Sequence, residues 1–220
     1  MGKIITGPIS TLDKKFSSFT RNTITRGKPN EIYVISQLQK FQKSYSQNGF
    51  FKDFLLRLED FALGMEDNNF LDLAGIVFSK LAKMPTTPEL KEQFLRGGLR
   101  VAKKQGDTIH TLARIVDLKK LFEQEKAPSK RYRMLFQEEK TLETIIEDFA
   151  GAQSGHKTVS KKSSPVQRYK LQLARCKVDI AKRLAPQDAL PRLILARDIF
   201  AELGRDNELG FVEKLISNLS

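Results

Sequence analysis

The residues best suited to chemistry are the lysines and arginines between positions 157 and 183. Apolar residues at helical spacing predict a helix over about residues 166–184. Arg168, Arg175 and Lys182 recur every seven residues on this helix and therefore share one face, opposite the apolar side chains. Such a helix packs with one side and presents cations with the other. The predicted anion- or partner-binding residues are Lys157, Lys161, Lys162, Arg168, Lys170, Arg175, Lys177, Lys182 and Arg183.

A row of cations of this kind suits three acidic partners: the phosphates of a nucleic acid, an anionic membrane surface or an acidic protein. Reading of bases is not supported, because Tyr169 lies on the apolar face. The row therefore lacks the interleaved aromatic residues on which single-stranded bases stack. Nucleic-acid binding by this stretch would follow the phosphate backbone. The simpler alternative is that these lysines and arginines only keep the protein in solution.

The positive charge of the chain is unevenly distributed. Lysine and arginine number 38 and aspartate and glutamate 26, which gives a net charge of +12. The excess lies in residues 1–30 and 151–183, whereas residues 31–125 are nearly neutral. An acidic partner is therefore expected at one of these two segments.

Residues that could support catalysis or bind a metal are sparse. The single cysteine, Cys176, cannot form an internal disulfide, and this favours a reducing compartment. His110 and His156 have no cysteine or paired carboxylate at ligand spacing. The chain also lacks a nucleophile elbow, a P-loop, a dinucleotide-binding turn and a His-Glu-x-x-His motif. The sequence predicts a protein without enzymatic activity, metal or cofactor.

A group of carboxylates between positions 138 and 148 superficially resembles a metal site. These residues share a predicted helix, about residues 131–149, with apolar side chains at core spacing. A solvated acidic face explains them better than a metal site. They are Glu138, Glu139, Glu143, Glu147 and Asp148.

The elements that must position these residues are all predicted helices. No segment alternates apolar and polar residues with β-branched side chains and hairpin turns, so the predicted fold class is all-α. We expect stacked antiparallel helical hairpins followed by a C-terminal three-helix segment. The predicted organisation is a basic, partly disordered arm (1–29), a helical-hairpin domain (30–150), a flexible basic linker (151–165) and a C-terminal helical segment (166–220). Residues 1–28 also have features of a transit peptide.

Two glycines interrupt one of the predicted helices. Gly97 and Gly98 follow Arg96 inside a helix-period stretch, where each costs about 1 kcal/mol relative to alanine. An isolated Arg-Gly-Gly element of an RNA-binding tail is the alternative interpretation. We predict instead that another helix crosses closely at these glycines.

The hairpin of residues 58–85 carries its apolar residues at the positions of a known repeat. Leu58, Phe61, Ala62 and Met65 lie on its first helix, and Ala74, Phe78 and Leu81 lie on its second, before Pro85. The hairpin resembles a tetratricopeptide repeat, and residues 51–122 resemble two such repeats more loosely, with Ala74 and Ala113 in register. The resemblance implies a concave groove that binds a peptide or a partner helix. An irregular helical bundle is the alternative.

Taken together, the patterns predict a soluble, cytoplasmic, non-enzymatic protein-interaction or adaptor module. Another protein is the expected partner, held by a helical surface and attracted by the basic stretch. The alternative is an RNA- or DNA-associated protein that contacts phosphates through residues 157–183 and the N-terminal arm. No apolar segment is long enough to span a membrane.

Overall fold

The computed structural model describes residues 8–27, 29–153 and 165–219 of the 220-residue chain. Within these ranges the chain forms ten α-helices and no β-strand, which confirms the predicted all-α class. None of the described helices has the length and hydropathy needed to cross a membrane. The helices are α1 (Pro8–Thr25), α2 (Glu31–Gln47), α3 (Phe51–Asp67), α4 (Leu71–Leu81), α5 (Pro88–Gln105), α6 (Thr108–Gln124), α7 (Pro128–Gln153), α8 (Pro165–Ala181), α9 (Pro186–Glu202) and α10 (Asp206–Ser217).

The helices group into two compact units, Met1–Gly106 with α1 to α5 and Asp107–Ser220 with α6 to α10. The sequence analysis instead placed residues 30–150 in one domain and began a separate segment at residue 166. The observed division begins the second unit at α6, because α6 packs on α7 and α7 packs on α8. In each unit consecutive helices pack side by side, as expected of stacked hairpins.

Capping residues set several helix boundaries, and the sequence predicts such caps at Asn30, at Thr87 and at Asp107 or Thr108. The Asn30 side chain accepts a hydrogen bond from the Tyr33 amide at 2.9 Å and caps α2, while Thr87 caps α5. The Asp107 carboxylate accepts from the His110 amide at 2.9 Å and caps α6. Gly106 ends α5 with a φ of 68°, in the left-handed region that glycine adopts without strain.

Three helices are longer than predicted. The sequence predicts a short helix over about residues 12–19 of the arm and another over 131–149. The structure instead has the 18-residue α1, and α7 runs over Pro128–Gln153. The sequence predicts a helix near residues 190–203. In the structure α9 begins at Pro186 and contains Pro191. In the sequence Pro128 and Pro186 indicate breaks before these helices, yet each occupies the first helical position, where its missing N–H costs nothing. Pro191 removes one intrahelical hydrogen bond.

An aromatic cluster explains why α1 belongs to the first unit. Phe16 is 2% exposed, and its ring lies 5.0 Å from that of Phe41 and 6.3 Å from those of Phe54 and Phe61. Edge-on aromatic contacts of this kind stabilise a core beyond simple burial. In a disordered arm this ring would be exposed to water. Its burial instead holds α1 against α2 and α3.

An ion pair strengthens the attachment of α1. The Asp13 carboxylate accepts hydrogen bonds from the Tyr45 hydroxyl at 2.7 Å and from the Arg57 guanidinium at 3.0 Å. The hydrogen bond from Arg57, together with that from Tyr45, keeps the pKa of Asp13 below its ordinary value against the opposing effect of burial. One carboxylate of α1 therefore contacts both α2 and α3.

In the second unit α8 lies between two apolar clusters. Leu173, Cys176 and Ile180 belong to a cluster formed with α6 and α7, and Ala174 and Val178 belong to one formed with α9 and α10. The sequence analysis assigned α8 a single apolar stripe and an open basic face. Burial on two sides leaves only a narrow strip of this helix at the surface.

Candidate partner-binding surface of the second unit

The predicted basic residues divide between the linker and α8 with its C-terminal turn. Lys157, Lys161 and Lys162 lie outside the described residues, as does His156. The remaining six lie between positions 168 and 183, where the structure defines their surroundings. They do not form one open patch.

Two of these cations are ion-paired at the surface of the unit. The Lys170 ammonium lies 2.5 Å from the Glu202 carboxylate of α9. Arg175 donates to the Glu208 carboxylate of α10 at 2.9 Å, and Arg205 donates to the same oxygen at 2.7 Å. These two arginines hold the pKa of Glu208 at about 2. Lys170 and Arg175 thus connect α8 to its neighbours and are partly neutralised.

Lys177 is not a surface cation. Its side chain is 7% exposed, and its ammonium donates to Glu139 at 2.8 Å and to Glu143 at 2.7 Å. Burial disfavours its charge, yet the two carboxylates outweigh burial and keep the pKa of Lys177 above its ordinary value. The prediction of Lys177 as a binding residue is therefore wrong, because α7 covers this side of α8. An external anion would have to displace two carboxylates to reach it.

The carboxylates of α7 form a partly buried network rather than the predicted solvated acidic face. Glu138 is fully buried and accepts hydrogen bonds from Lys119 at 2.6 Å and from Gln172 at 2.7 Å. Glu139, also buried, contacts Lys177 of α8. Glu147 and Asp148, one helical turn beyond Glu143, are exposed as expected. The prediction failed for Glu138 and Glu139 because their cationic partners come from other helices.

The other three predicted cations also lie at the surface. Arg168 and Arg183 are exposed, and the Lys182 side chain is 45% exposed. The Lys182 ammonium lies 5.2 Å from the centre of the Phe211 ring, itself 48% exposed. A cation over an aromatic face is attracted by the ring quadrupole.

Arg183 belongs to a surface feature that is not among the predictions from the sequence. Its guanidinium lies 5.6 Å from the centre of the Tyr132 ring. Tyr132 meets Phe136 edge-on at 5.0 Å, and the Arg192 guanidinium lies 5.6 Å from the centre of the Phe136 ring. We call these four residues, Arg183, Tyr132, Phe136 and Arg192, the aromatic–arginine row.

The aromatic–arginine row is partly exposed to solvent, although the Tyr132 ring packs against α8. Phe136 is 37% exposed, and the Arg192 side chain is 30% exposed. The Tyr132 hydroxyl donates to the backbone carbonyl of Ile180 at 3.5 Å, which fixes the ring against α8. Leu195, about one turn beyond Arg192 on α9, is 50% exposed. Two aromatic rings, two guanidinium groups and a leucine thus come from α7, the turn after α8, and α9.

No family model, curated protein or solved structure matches this chain.

The Arg192 side chain has a further polar feature beside the row. Its Nε lies 3.5 Å from a Glu139 carboxylate oxygen, and this buried Nε has no hydrogen-bond partner within the described residues. The Glu139 carboxylate instead accepts a hydrogen bond from Lys177. The guanidinium is thus oriented by charge and by the Phe136 ring.

The sequence contains one signal for this row. Tyr132 and Phe136 are four residues apart on α7, which places both rings on one helix face. Neither residue was part of the predicted core stripe of that helix. The two arginines could not have been found in this way, because they come from the turn after α8 and from α9.

Proposed function

We propose that the protein is a non-enzymatic interaction module whose second unit binds another protein through the aromatic–arginine row and Leu195. The observation that carries the proposal is the arrangement of two partly exposed rings between two guanidinium groups. Tyrosine, phenylalanine and arginine are enriched at protein interfaces, and tyrosine and arginine are frequent among residues that dominate binding energy.

The chemistry of the row defines the partner that suits it. Apolar side chains would cover Phe136 and Leu195, while carboxylates would pair with Arg183 and Arg192. A helix or extended peptide with acidic and apolar residues has both properties. Such a partner agrees with the acidic protein that the positive charge of the chain favours.

Internal ion pairs make a phosphate track along α8 the weaker alternative. Lys170, Arg175 and Lys177 are already engaged by carboxylates of the same unit. A nucleic acid that used them would exchange existing pairs for new ones. Arg168 and Lys182 are exposed, and this observation still favours RNA or DNA binding through fewer cations than the sequence predicts.

The fold supports the proposal through the stacking of hairpins. Side chains of helices two apart in sequence meet repeatedly within a unit, as Glu66 of α3 does with Arg100 of α5. Glu59 and Gln93, and Glu66 and Arg100, are each 34 residues apart, the length of a tetratricopeptide repeat. Successive hairpins nevertheless begin at Phe51 and Pro88, 37 residues apart, so a regular 34-residue repeat is not maintained.

Selection from a displayed random-peptide library on the immobilised full chain tests the proposal. We expect selected peptides to combine acidic and apolar residues, and to lose at least tenfold in affinity with Phe136→Ser or Arg183→Glu. Arg168→Glu is the matched control, since Arg168 is an exposed arginine of the same unit outside the row. Peptides that bind all three variants equally would overturn the assignment.

The nucleic-acid alternative needs a separate titration with single-stranded RNA and duplex DNA at about 50 and 200 mM salt, over which phosphate-led affinity falls steeply. Here Arg168→Glu and Lys182→Glu are the informative variants and Phe136→Ser is the control. Arg175→Glu is less suitable, because it would also break the contact between α8 and Glu208. Salt-sensitive binding lost in the first two variants would favour nucleic acid over protein.

A further inference from the structure

The first unit contains a cleft between α1 and α2 that the proposed function does not use. Its volume is about 470 Å³, within the range of small-molecule sites. Side chains from both helices and from the turn between them line it. Its chemistry differs from that of the aromatic–arginine row, because it combines charge, rings and carboxamides in one concave space.

The charge of the cleft is positive. Lys15 of α1 and Arg26, just after α1, line it, and no carboxylate does so among the described residues. The carboxylate of α1, Asp13, is engaged instead with Arg57 of α3 and Tyr45. An anion in the cleft would therefore meet two cations without direct competition from Asp13.

Aromatic rings form the apolar part of the cleft. Phe19 and Phe41 lie 5.5 Å apart with their planes tilted by 49°, and Tyr33 is 51% exposed beside them. The Phe19 ring is held by stacking on Phe61 at 5.6 Å. Phe19 is thus anchored on the core side, and a flat apolar group fits against the rings of the cleft by offset or edge contacts.

Three carboxamides complete the lining: Asn22, Asn30 and Gln37. A carboxamide both donates and accepts hydrogen bonds, so it can orient a ligand of either polarity. The Asn30 oxygen is occupied by the Tyr33 amide, which leaves its NH2 group to serve as a donor. Donors and cations together favour a ligand whose polar end accepts hydrogen bonds.

We propose that the cleft between α1 and α2 binds a small aromatic anion, with its acidic group at Lys15 and Arg26 and its ring against Phe19, Tyr33 and Phe41. The volume and the concave shape favour a free small molecule over a protein segment. A neutral aromatic compound lacks the ionic contacts, and an aliphatic anion lacks the ring contacts.

A matched pair of fluorescent probes tests the proposal on the full chain. The anionic probe is 8-anilinonaphthalene-1-sulfonate, and N-phenyl-1-naphthylamine is the same ring system without the sulfonate. We expect the anionic probe to bind at least tenfold more tightly. Lys15→Gln and Arg26→Gln should each weaken its binding about three- to fivefold and leave the neutral probe unchanged. Tyr33→Ala should weaken both probes.

Control variants separate this site from general attraction to a basic protein. Lys40→Gln and Arg21→Gln remove one exposed cation each from the same two helices and do not alter the lining. Both should bind the anionic probe as the wild type does. Equal losses in these controls and in Lys15→Gln would overturn the proposal.

Nuclear magnetic resonance gives an independent location for the probe. The side-chain NH2 signals of Asn22, Asn30 and Gln37 should shift on titration with the anionic probe, and that of Asn68, which lies outside the lining, should not. Shifts confined to carboxamides outside the cleft would contradict the assignment even if the affinity were high. The outcome is independent of the partner-binding proposal, since that concerns residues of the second unit.

Discussion

The ring of Phe78 fills the space in which residue 97 would otherwise carry a Cβ atom. An ideal Cβ built on Gly97 would lie well inside the van der Waals contact distance of the Phe78 ring. Gly97 lies on α5 and Phe78 on α4, and these helices pack side by side. The predicted close helix crossing is therefore confirmed at Gly97.

Gly97→Ala is expected to lower the free energy of unfolding by about 1–2 kcal/mol, because overpacking outweighs the gain in helix propensity. Urea unfolding followed by circular dichroism measures the change. Gly75→Ala is the matched control: its Cβ would meet a Val101 methyl at an ordinary 3.6 Å, so stability should be unchanged or higher. An equal loss in both variants would contradict the explanation.

Glu66 should make the stability of the first unit depend on pH. Its side chain is 3% exposed, and hydrogen bonds from Arg100 and Lys104 lower its pKa to about 2. A carboxylate with a depressed folded-state pKa contributes stability above its ordinary pKa, and loses that contribution as the pH falls towards the folded-state value. Glu66→Gln should therefore cost about 1–3 kcal/mol at pH 7.

The cost of Glu66→Gln should shrink between about pH 4.5 and pH 2, as the wild-type carboxylate also becomes protonated. Unfolding curves at pH 7, 4 and 2.5 for both proteins measure this convergence. A difference that stays constant over that range would show that Glu66 does not act through its charge.

Lys177 and Lys170 allow a direct comparison of buried and exposed ion pairs on one helix. Lys177→Met should lower stability by about 3–5 kcal/mol, because it leaves Glu139 buried without this cation and facing Glu143. Lys170→Met breaks a more exposed pair with Glu202 and should cost less than about 1 kcal/mol. Thermal unfolding of the two variants side by side gives the comparison, and similar melting temperatures would contradict it.

The reactivity of the Cys176 thiol reports on the packing of the second unit. The thiol is 3% exposed and donates to the Leu135 carbonyl at 3.2 Å, and burial raises its pKa above the ordinary value. We expect little reaction with Ellman's reagent in the native protein at pH 8. The labelling rate should rise with urea as the second unit unfolds. Rapid labelling without denaturant would mean that α8 is not packed as described.

Local signals in the sequence predicted the individual helices well. Asn30, Thr87 and Asp107 cap helices as expected, because a cap depends on residues three positions apart. Single-helix periodicity did not predict how the helices group. The division after Gly106 and the docking of Phe16 depend on long-range contacts that no local pattern encodes.

The candidate site shows the same contrast. The exposed position of Arg168 follows from its helix face, whereas the burial of Lys177 depends on two carboxylates of α7. A charged residue beside an apolar stripe can be either exposed or buried. The neighbouring helix decides which, and one sequence without packing information does not reveal it.

The central claim is that another protein contacts the aromatic–arginine row, and site-specific photocrosslinking in cells tests it most directly. p-Benzoylphenylalanine would replace Phe136 in one variant and Phe211 in another. Both are partly exposed phenylalanines of the second unit, but Phe211 lies beside Lys182, outside the aromatic–arginine row. We predict a discrete, nuclease-resistant protein adduct at position 136 that Arg183→Glu abolishes, and none at 211. RNA adducts at position 211 with none to protein at 136 would contradict the account.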